Sequence, residues 1–292
     1  MRMDIDNFTR MSKRLNTEGI DFDAFARHPL DRDTLRCLRY MHDVELHTVC
    51  YLRDLLVTSA HRDPEVTAFL TMWNMEEYWH GEAIGDVLLA HGEPAKRRRV
   101  EPMRQRLAWK DKIAPMLHSL GSAIAGESFI AIHMTWGAVN EWTTQAAYSR
   151  LIARADHPVL TDLLRRIMKQ EGRHIDFYAS QALQRLDGDR KAQWMTRTAL
   201  QHAWSPVGAS VMPATEVDHM SRFLFDGADG MAAARRIDAK IDRLPGLSGL
   251  GLLEREVRRA SPVTVASIHD ARALRDSRIV AAPAGAPLPS AA

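Results

Sequence analysis

The chain has 292 residues, of which 46% are hydrophobic, so it can bury the core of one large domain or two small ones. Its 39 lysines and arginines nearly balance 37 aspartates and glutamates, and a net charge of +2 argues against a nucleic-acid partner. No run of about 18 apolar residues occurs, so we expect no membrane span. The N-terminal stretch lacks the apolar core of a signal peptide.

Long helical patterns dominate and strand patterns are nearly absent, which predicts an all-α protein. We predict an N-terminal segment at 1–30 and a helical bundle at 31–186. Accessory helices packed on the bundle are predicted at 187–260, and a C-terminal extension at 261–292. The end of that extension is rich in alanine and proline, and we expect it to be flexible.

Four long helices are predicted in the bundle, at 31–60, 64–91, 113–155 and 158–187. Asp63-Pro64 opens the second helix as an N-cap followed by a first-turn proline. Short turns join the helices within each pair, whereas about twenty residues at 92–111 join the two pairs. Two antiparallel hairpins joined by one long crossover are the connectivity of a ferritin-like four-helix bundle. Shorter helical patterns follow at about 189–204, 215–226, 229–242 and 250–259.

The first predicted helix carries both cysteines, Cys37 and Cys50. Thirteen residues of helix would separate them by about 20 Å, beyond the reach of a disulfide. We therefore expect reduced thiols and a cytoplasmic protein.

Two copies of a Glu-x-x-His pattern lie on the core-facing stripes of the second and fourth helices. They are Glu77 with His80, and Glu171 with His174. Residues three apart leave the same helix face, so each pair can act together. Buried charge costs several kcal/mol unless something compensates for it. We therefore expect each Glu-x-x-His pair to have a partner that compensates its buried charge.

Each hairpin carries one further glutamate on its first helix. Glu45 lies 32 residues before Glu77, and Glu141 lies 30 residues before Glu171, with the turn near midway in both cases. Folding each hairpin should bring its two glutamates to the same height. Four glutamates and two histidines in a bundle core are the dimetal carboxylate arrangement. These ligands suit two iron ions, or a manganese–iron pair, with open positions for dioxygen.

Two other residues on the third helix compete for a place in this cluster. Glu127 shares a face with Glu141 but lies about 21 Å away along the axis, so we expect it near the bundle end beside a polar partner. His133 lies about 12 Å from Glu141, which favours a core or pocket histidine over a ligand.

These residues resemble the soluble acyl-acyl-carrier-protein desaturases of the ferritin-like superfamily. The stretch WNMEEYWHG at 73–81 resembles the W-x-x-E-E-x-x-H-G segment of that family, and EGRH at 171–174 resembles its D-E-x-R-H segment. In EWTT at 141–144, a threonine again follows the glutamate by three residues. The resemblance covers about 31–186. It implies dioxygen activation at a di-iron centre, a ferredoxin-like electron donor, a homodimer and, at Thr144, the border of the oxygen pocket.

Two positions depart from the family pattern. Trp79 stands where the family commonly has arginine, and Gln170 stands where it has aspartate. Both changes remove a charge, and the pseudo-twofold symmetry of the hairpins would place them near each other. The opposite pair of the pattern, Glu76 and Arg173, is retained.

Metal-bound histidines usually donate their remaining N–H to an acceptor behind them. We predict that Glu76 accepts from His174 and that Gln170 accepts from His80. A neutral acceptor makes His80 a less basic ligand, which would change the redox tuning of the iron that it binds.

A basic run, Lys96-Arg97-Arg98-Arg99, lies in the predicted crossover. It can be a solvated loop, or it can dock an acidic acyl carrier protein or ferredoxin by electrostatic attraction.

The sequence as a whole favours an oxygen-activating di-iron oxidoreductase. The leading hypothesis is a desaturase or related oxidase that acts on an acyl chain carried by acyl carrier protein. A di-iron hydroxylase or amine N-oxygenase acting on a small molecule in secondary metabolism is one alternative. A non-catalytic iron-binding or ferroxidase protein is the other.

Overall fold

The structure is a computed structural model that describes residues 4–261, without the side chains of Ala108, Lys110 and Asp111. Nearly all of the predicted C-terminal extension therefore lies outside the described residues. Within the described part the chain is all-helical, as predicted. The helices are α1 (Ile5–Met11), α2 (Ala24–Arg27), α3 (Arg32–Glu45), α4 (Thr48–Leu56), a 3-10 turn (Ser59–Arg62), α5 (Pro64–Ala90), α6 (Arg97–Ala125), α7 (Ser128–Ala155), α8 (Pro158–Leu186), α9 (Arg190–Ala203), α10 (Ala214–Phe225), α11 (Gly227–Ile241) and α12 (Leu252–Ala260).

Helix starts follow the capping residues. The Asp63 carboxylate accepts hydrogen bonds from the backbone N–H groups of Glu65 and Val66, and Pro64 occupies the first helical position of α5. Asp31 caps α3 in the same way. The predicted starts of these two helices, and that of α8 after His157, are confirmed to within a residue.

The first predicted bundle helix is broken into two. α3 ends at Glu45, and α4 begins at Thr48. The break frees backbone carbonyls, and these are bonded by side chains: Thr48 Oγ1 donates to the carbonyl of Glu45 at 2.7 Å, and Arg104 donates to that of Leu46 at 2.6 Å. The prediction of one continuous helix was wrong because hydrophobic periodicity continues through a break whose carbonyls are satisfied from another helix.

The predicted crossover loop at 92–111 is mostly helical. α6 begins at Arg97, and it is a separate helix from α7, from which Gly126 divides it with a φ of 60°. A buried stripe of Val100, Met103 and Leu107 packs α6 against a small hydrophobic cluster that contains Leu46. The loop prediction was wrong because charged residues and prolines masked this stripe.

Packing brings four helical segments around one interior. α3 packs along α5, and α7 packs along α8. Ion pairs and hydrogen bonds between α5 and α8 join Asp63 to Arg185 and Glu76 to His174, so these two helices run antiparallel. The N-terminal segment lies on this interior, since the ring of Phe8 is 5.2 Å from that of Phe69 on α5.

The predicted accessory helices are present as α9 to α12, and α9, α10 and α11 pack on α7. Both cysteines carry free thiols. Among the helices described here, none offers a segment of the length and apolarity needed to span a bilayer.

Candidate metal centre

The six predicted ligand residues converge inside the bundle. One group that could hold a metal ion consists of Glu45, Glu77, His80 and Glu171, and a second consists of Glu77, Glu141, Glu171 and His174. Within each group, the ligand atoms lie within 4.8 Å of one another. All six side chains are at most 6% exposed. Because Glu77 and Glu171 belong to both groups, this geometry can hold two adjacent cations that share two carboxylates.

Neighbouring side chains orient Glu45 and Glu141, each of which belongs to only one of the two ligand groups. The hydroxyl of Tyr148 donates to Glu45 Oε1 at 2.5 Å, and the indole N–H of Trp73 donates to Glu141 Oε1 at 2.9 Å. Glu45 Oε2 is buried without a hydrogen-bond partner among the described residues. Its lone pairs are therefore available to a cation. Sequence reasoning did not single out Tyr148, because a tyrosine on a core stripe has no distinctive spacing.

Each histidine is held between two acceptors. Nε2 of His80 lies 2.9 Å from Gln170 Oε1, and Nε2 of His174 lies 2.8 Å from Glu76 Oε2, so both predicted contacts are present. The Nδ1 atoms point at the carboxylate cluster. His80 Nδ1 is 3.3 Å from Glu171, and His174 Nδ1 is 2.9 Å from the same residue.

The hydrogen bonds of Gln170 determine the tautomer of His80. The Gln170 amide nitrogen donates to the carbonyl oxygen of Lys13 at 3.0 Å and lies 3.4 Å from Glu76 Oε1. Only an NH₂ group can face two acceptors, so the amide oxygen must face His80. In the neutral ring, Nε2 of His80 therefore carries the hydrogen and Nδ1 presents a lone pair to the cluster; in the protonated ring, the hydrogen on Nδ1 faces Glu171. Glu76 imposes the same tautomer on His174.

The N-terminal segment contacts the two residues that hold the histidines, Glu76 and Gln170. The backbone N–H of Lys13 donates to Glu76 Oε1 at 3.2 Å, so the main chain of this one residue contacts both Glu76, through its N–H, and Gln170, through its carbonyl oxygen. Arg173 donates to the same Glu76 oxygen at 2.6 Å. The next residue, Arg14, lies over the ring of Trp79 at 4.2 Å. Both positions that depart from the family pattern thus contact this dipeptide, which sequence reasoning missed because Lys13 acts through its backbone.

The pKa shifts in the cluster indicate that its carboxylates lack compensating positive charge. Burial, followed by the charges of nearby glutamates, raises the pKa of Glu77 well above its ordinary value, and burial with the charge of Glu171 does the same for Glu141. Burial alone would lower the pKa of His80 and His174, but hydrogen bonds to Glu171 outweigh it and raise both. In the metal-free protein, protons therefore supply the charge that metal ions would supply.

The remaining predicted residues lie outside the cluster. Glu127 is exposed at the junction of α6 and α7 and does not belong to either ligand group. Thr144 is half-buried on α7, one turn after Glu141. His133 is 4% exposed and pairs with the hydroxyl of Tyr51 at 2.7 Å, as a pocket histidine would.

The basic run starts α6 instead of lying in a loop. Lys96 pairs with Asp86 at 2.5 Å, and Arg99 pairs with Asp43 at 2.7 Å, whereas Arg97 and Arg98 are exposed. Beside the run is a cleft of about 800 Å³, whose charged lining consists of Arg32, Arg36, Arg39, Arg99 and Arg106 with Asp33, Asp43 and Glu216. Three of these arginines are paired, Arg36 with Glu216, Arg39 with Glu93 and Arg99 with Asp43. Arg32 and Arg106 against Asp33 then leave the cleft with one net positive charge.

No protein-family model matches the chain, and no curated protein matches it in sequence.

Proposed function

We propose that this chain is an oxygen-activating di-iron oxidoreductase built on a ferritin-like bundle. One observation carries the proposal: four glutamates and two histidines form two ligand groups that share Glu77 and Glu171. In the proposed bundle, α3 and α4 pair with α5, α7 pairs with α8, and α6 is the crossover.

The donor set fits two divalent ions of the iron or manganese type. Carboxylate oxygen and imidazole nitrogen are ligands that suit Fe(II) and Mn(II). Glu45 Oε2 is buried without a hydrogen bond to any described residue, and Glu77 and Glu171 each face a histidine Nδ1 atom, at 3.1 Å from His174 and 3.3 Å from His80. Unpaired buried charge is costly, and cations would compensate it. When bound, the two ions would supply the electrons for reducing dioxygen.

The protein's own groups have defined roles in this proposal. Gln170 and Glu76 hold the histidine rings with Nδ1 directed inward, so that the ring nitrogens would bind a metal ion without reorganisation. The rings of Phe8 and Phe69 lie 6.3 Å from that of His174 and exclude water from that side.

An acyl chain on acyl carrier protein is the substrate class that we propose first. The desaturase-like stretches at 73–81 and 171–174 support it, as does the positive cleft, which suits an acidic carrier or a ferredoxin-like electron donor. Desaturation would consume one dioxygen, two electrons and two protons, remove two hydrogens from the chain and release two waters.

We also propose a homodimer that buries one face of α6. Six apolar side chains at helical spacing on this face are between 44% and 72% exposed: Trp109, Ile113, Met116, Leu117, Leu120 and Ile124. They expose on the order of 600 Å², the upper end for a monomer surface. A standard interface buries about 800 Å² on each partner. Light scattering should give a dimer for wild type and a monomer for Met116→Lys combined with Ile124→Lys. A monomeric wild type would contradict this proposal.

The activity is tested with iron-loaded protein, oxygen, ferredoxin with its reductase, and acyl carrier protein that carries a saturated long acyl chain. Mass spectrometry of the chain should show the loss of two hydrogens, and Glu141→Gln should abolish it. A gain of one oxygen would indicate a hydroxylase. Oxygen consumption that oxidises iron without altering any organic molecule would contradict the oxidoreductase proposal and indicate a ferroxidase.

A further inference from the structure

Two buried polar atoms beside the ligand cluster lack a hydrogen-bond partner in the part of the chain that the structure describes. Tyr178 is 1% exposed and His133 is 4% exposed. Neither the hydroxyl of Tyr178 nor Nε2 of His133 forms a hydrogen bond with any described residue. A buried donor without an acceptor is costly, and such groups in proteins usually have a partner. A partner from outside the chain would remove this cost.

These two side chains belong to a cluster of four rings, one from each bundle segment. The ring of Tyr178 lies 6.1 Å from that of His133 and 6.2 Å from that of Trp73, and the ring of Tyr51 lies 5.4 Å from that of His133. Trp73 also donates to Glu141, so the ring cluster touches the ligand cluster directly.

All four rings lie on the same side of the ligands along the bundle. Trp73 is one turn before Glu77 on α5, and Tyr178 is one turn after His174 on α8, which runs antiparallel to α5. The four residues that separate the members of each pair correspond to about 6 Å along a helix. A molecule bound at these rings is therefore close enough to present an adjoining carbon to the ligand cluster.

The backbone of α7 fixes the position of Tyr178. A Cβ built on Gly137 would lie 2.3 Å from the ring of Tyr178, so the ring packs directly on the glycine. The hydroxyl is therefore held in place and cannot turn toward a partner elsewhere without moving α7.

Both unpartnered atoms are hydrogen-bond donors. Burial, with a smaller contribution from His118, lowers the pKa of His133 to about 3, so its ring is neutral. The hydroxyl of Tyr51 is a stronger donor than a neutral imidazole and lies 2.7 Å from Nδ1, which therefore accepts. The hydrogen of His133 is then on Nε2. A phenol hydroxyl and an imidazole N–H together suit an oxygen acceptor, and the four rings supply no cation that would favour a carboxylate.

We propose that Tyr178 and His133 bind an uncharged oxygen acceptor, such as a carbonyl, that the substrate of the metal centre carries near its reacting carbon. This inference rests on the proposed function and narrows its substrate class, since a purely aliphatic segment would leave both donors unpaired. The two residues position the substrate, and they select a substrate that carries this oxygen acceptor.

The test uses octan-2-one as the probe and calorimetry on the full chain, both metal-free and iron-loaded. We expect Tyr178→Phe and His133→Leu each to weaken binding about three- to tenfold, the loss of one hydrogen bond. His133→Gln, whose amide can donate from a similar position, should recover part of the affinity. Tyr40→Phe is the matched control. Its hydroxyl is bonded to the Val207 carbonyl far from the rings, and ketone affinity should not change.

Thermal unfolding of the ligand-free protein provides a second readout. Tyr40→Phe removes a satisfied hydroxyl and should lower Tm, whereas Tyr178→Phe removes an unsatisfied one and should leave Tm unchanged or raise it. Equal ketone affinity in wild type and Tyr178→Phe would overturn the inference. A Tm loss in Tyr178→Phe as large as that in Tyr40→Phe would also overturn it, because the hydroxyl would then be bonded internally. If two metal ions bind and the ketone does not, only this inference fails, whereas the proposed function fails if no metal binds.

Discussion

Replacing Gln170 with glutamate tests how His80 is oriented. The substitution keeps the length of the side chain and the oxygen that accepts from His80. It replaces the amide NH₂ with a negative oxygen, which then lies near the Lys13 carbonyl, at 3.0 Å, and near Glu76 Oε1, at 3.4 Å. Two donated interactions thereby become two repulsive ones.

Two carboxylates about 4 Å apart repel by about 4 kcal/mol at the effective dielectric of a protein site. The lost hydrogen bond to Lys13 adds about 1 kcal/mol. Arg173, which already binds Glu76, and the protonated ring of His80, which faces the new carboxylate, offset part of the total. We expect a net loss of about 3 kcal/mol in the free energy of unfolding at pH 8. At pH 5 the new carboxyl takes up a proton and can donate to Lys13, so the loss falls below about 1 kcal/mol.

Urea unfolding of metal-free protein at pH 5 and pH 8 measures both values. Gln145→Glu is the matched control, because Gln145 is half-buried and its amide makes one long bond of 3.4 Å to a backbone carbonyl. That change should cost under about 1 kcal/mol at either pH. A cost for Gln170→Glu no larger than that of the control at pH 8 would refute the reasoning. The amide would then be reversed, and Nδ1 of His80 would carry a hydrogen and could not bind a cation.

Gly137→Ala places a methyl group 2.3 Å from the Tyr178 ring and should lower the free energy of unfolding in urea by about 2 kcal/mol or more. Gly172→Ala, where an added methyl group would have nothing within 4 Å, should leave this free energy unchanged or raise it by up to about 1 kcal/mol. Equal effects at the two sites would contradict the packing. Arg97→Ser with Arg98→Ser should raise KM for an acidic carrier protein or ferredoxin at low salt and have less effect at high salt; an unchanged KM at low salt would contradict docking. The raised pKa of the two buried glutamates and of both cluster histidines means that the metal-free fold holds protons that the unfolded chain releases above about pH 4.5 and 6.5. Stability of the metal-free protein should therefore fall as pH rises from 5 to 8 in thermal unfolding, while stabilisation by ferrous iron grows; a flat profile would contradict the shifts.

Sequence patterns predicted the parts of the molecule that depend on local chemistry. The Asp63-Pro64 pair marks the start of α5 to the residue. The spacing of Glu171 and His174, with a glutamate at a matching depth on α7, was enough to predict which side chains meet. These features could be predicted because helix geometry converts spacing directly into position.

What was missed depends on contacts between distant parts of the chain. The break after Glu45 is stabilised by Arg104, 59 residues later in the sequence, and no sequence pattern near Glu45 predicts the break. Lys13 contacts Glu76 and Gln170 through its backbone N–H and carbonyl groups, which almost every residue possesses. The pairing of Tyr148 with Glu45 joins two helices whose register is set by tertiary packing.

The metal content of the purified chain tests the central claim most directly. Protein reconstituted with ferrous iron without oxygen, freed of excess metal and measured by mass spectrometry should contain about two ions per chain. Glu77→Gln removes a carboxylate that both groups share and should reduce the content of both sites, whereas Glu127→Gln, at an exposed position, should leave it at two. A wild-type chain that stays folded and retains no iron, or two variants with equal metal content, would contradict the account.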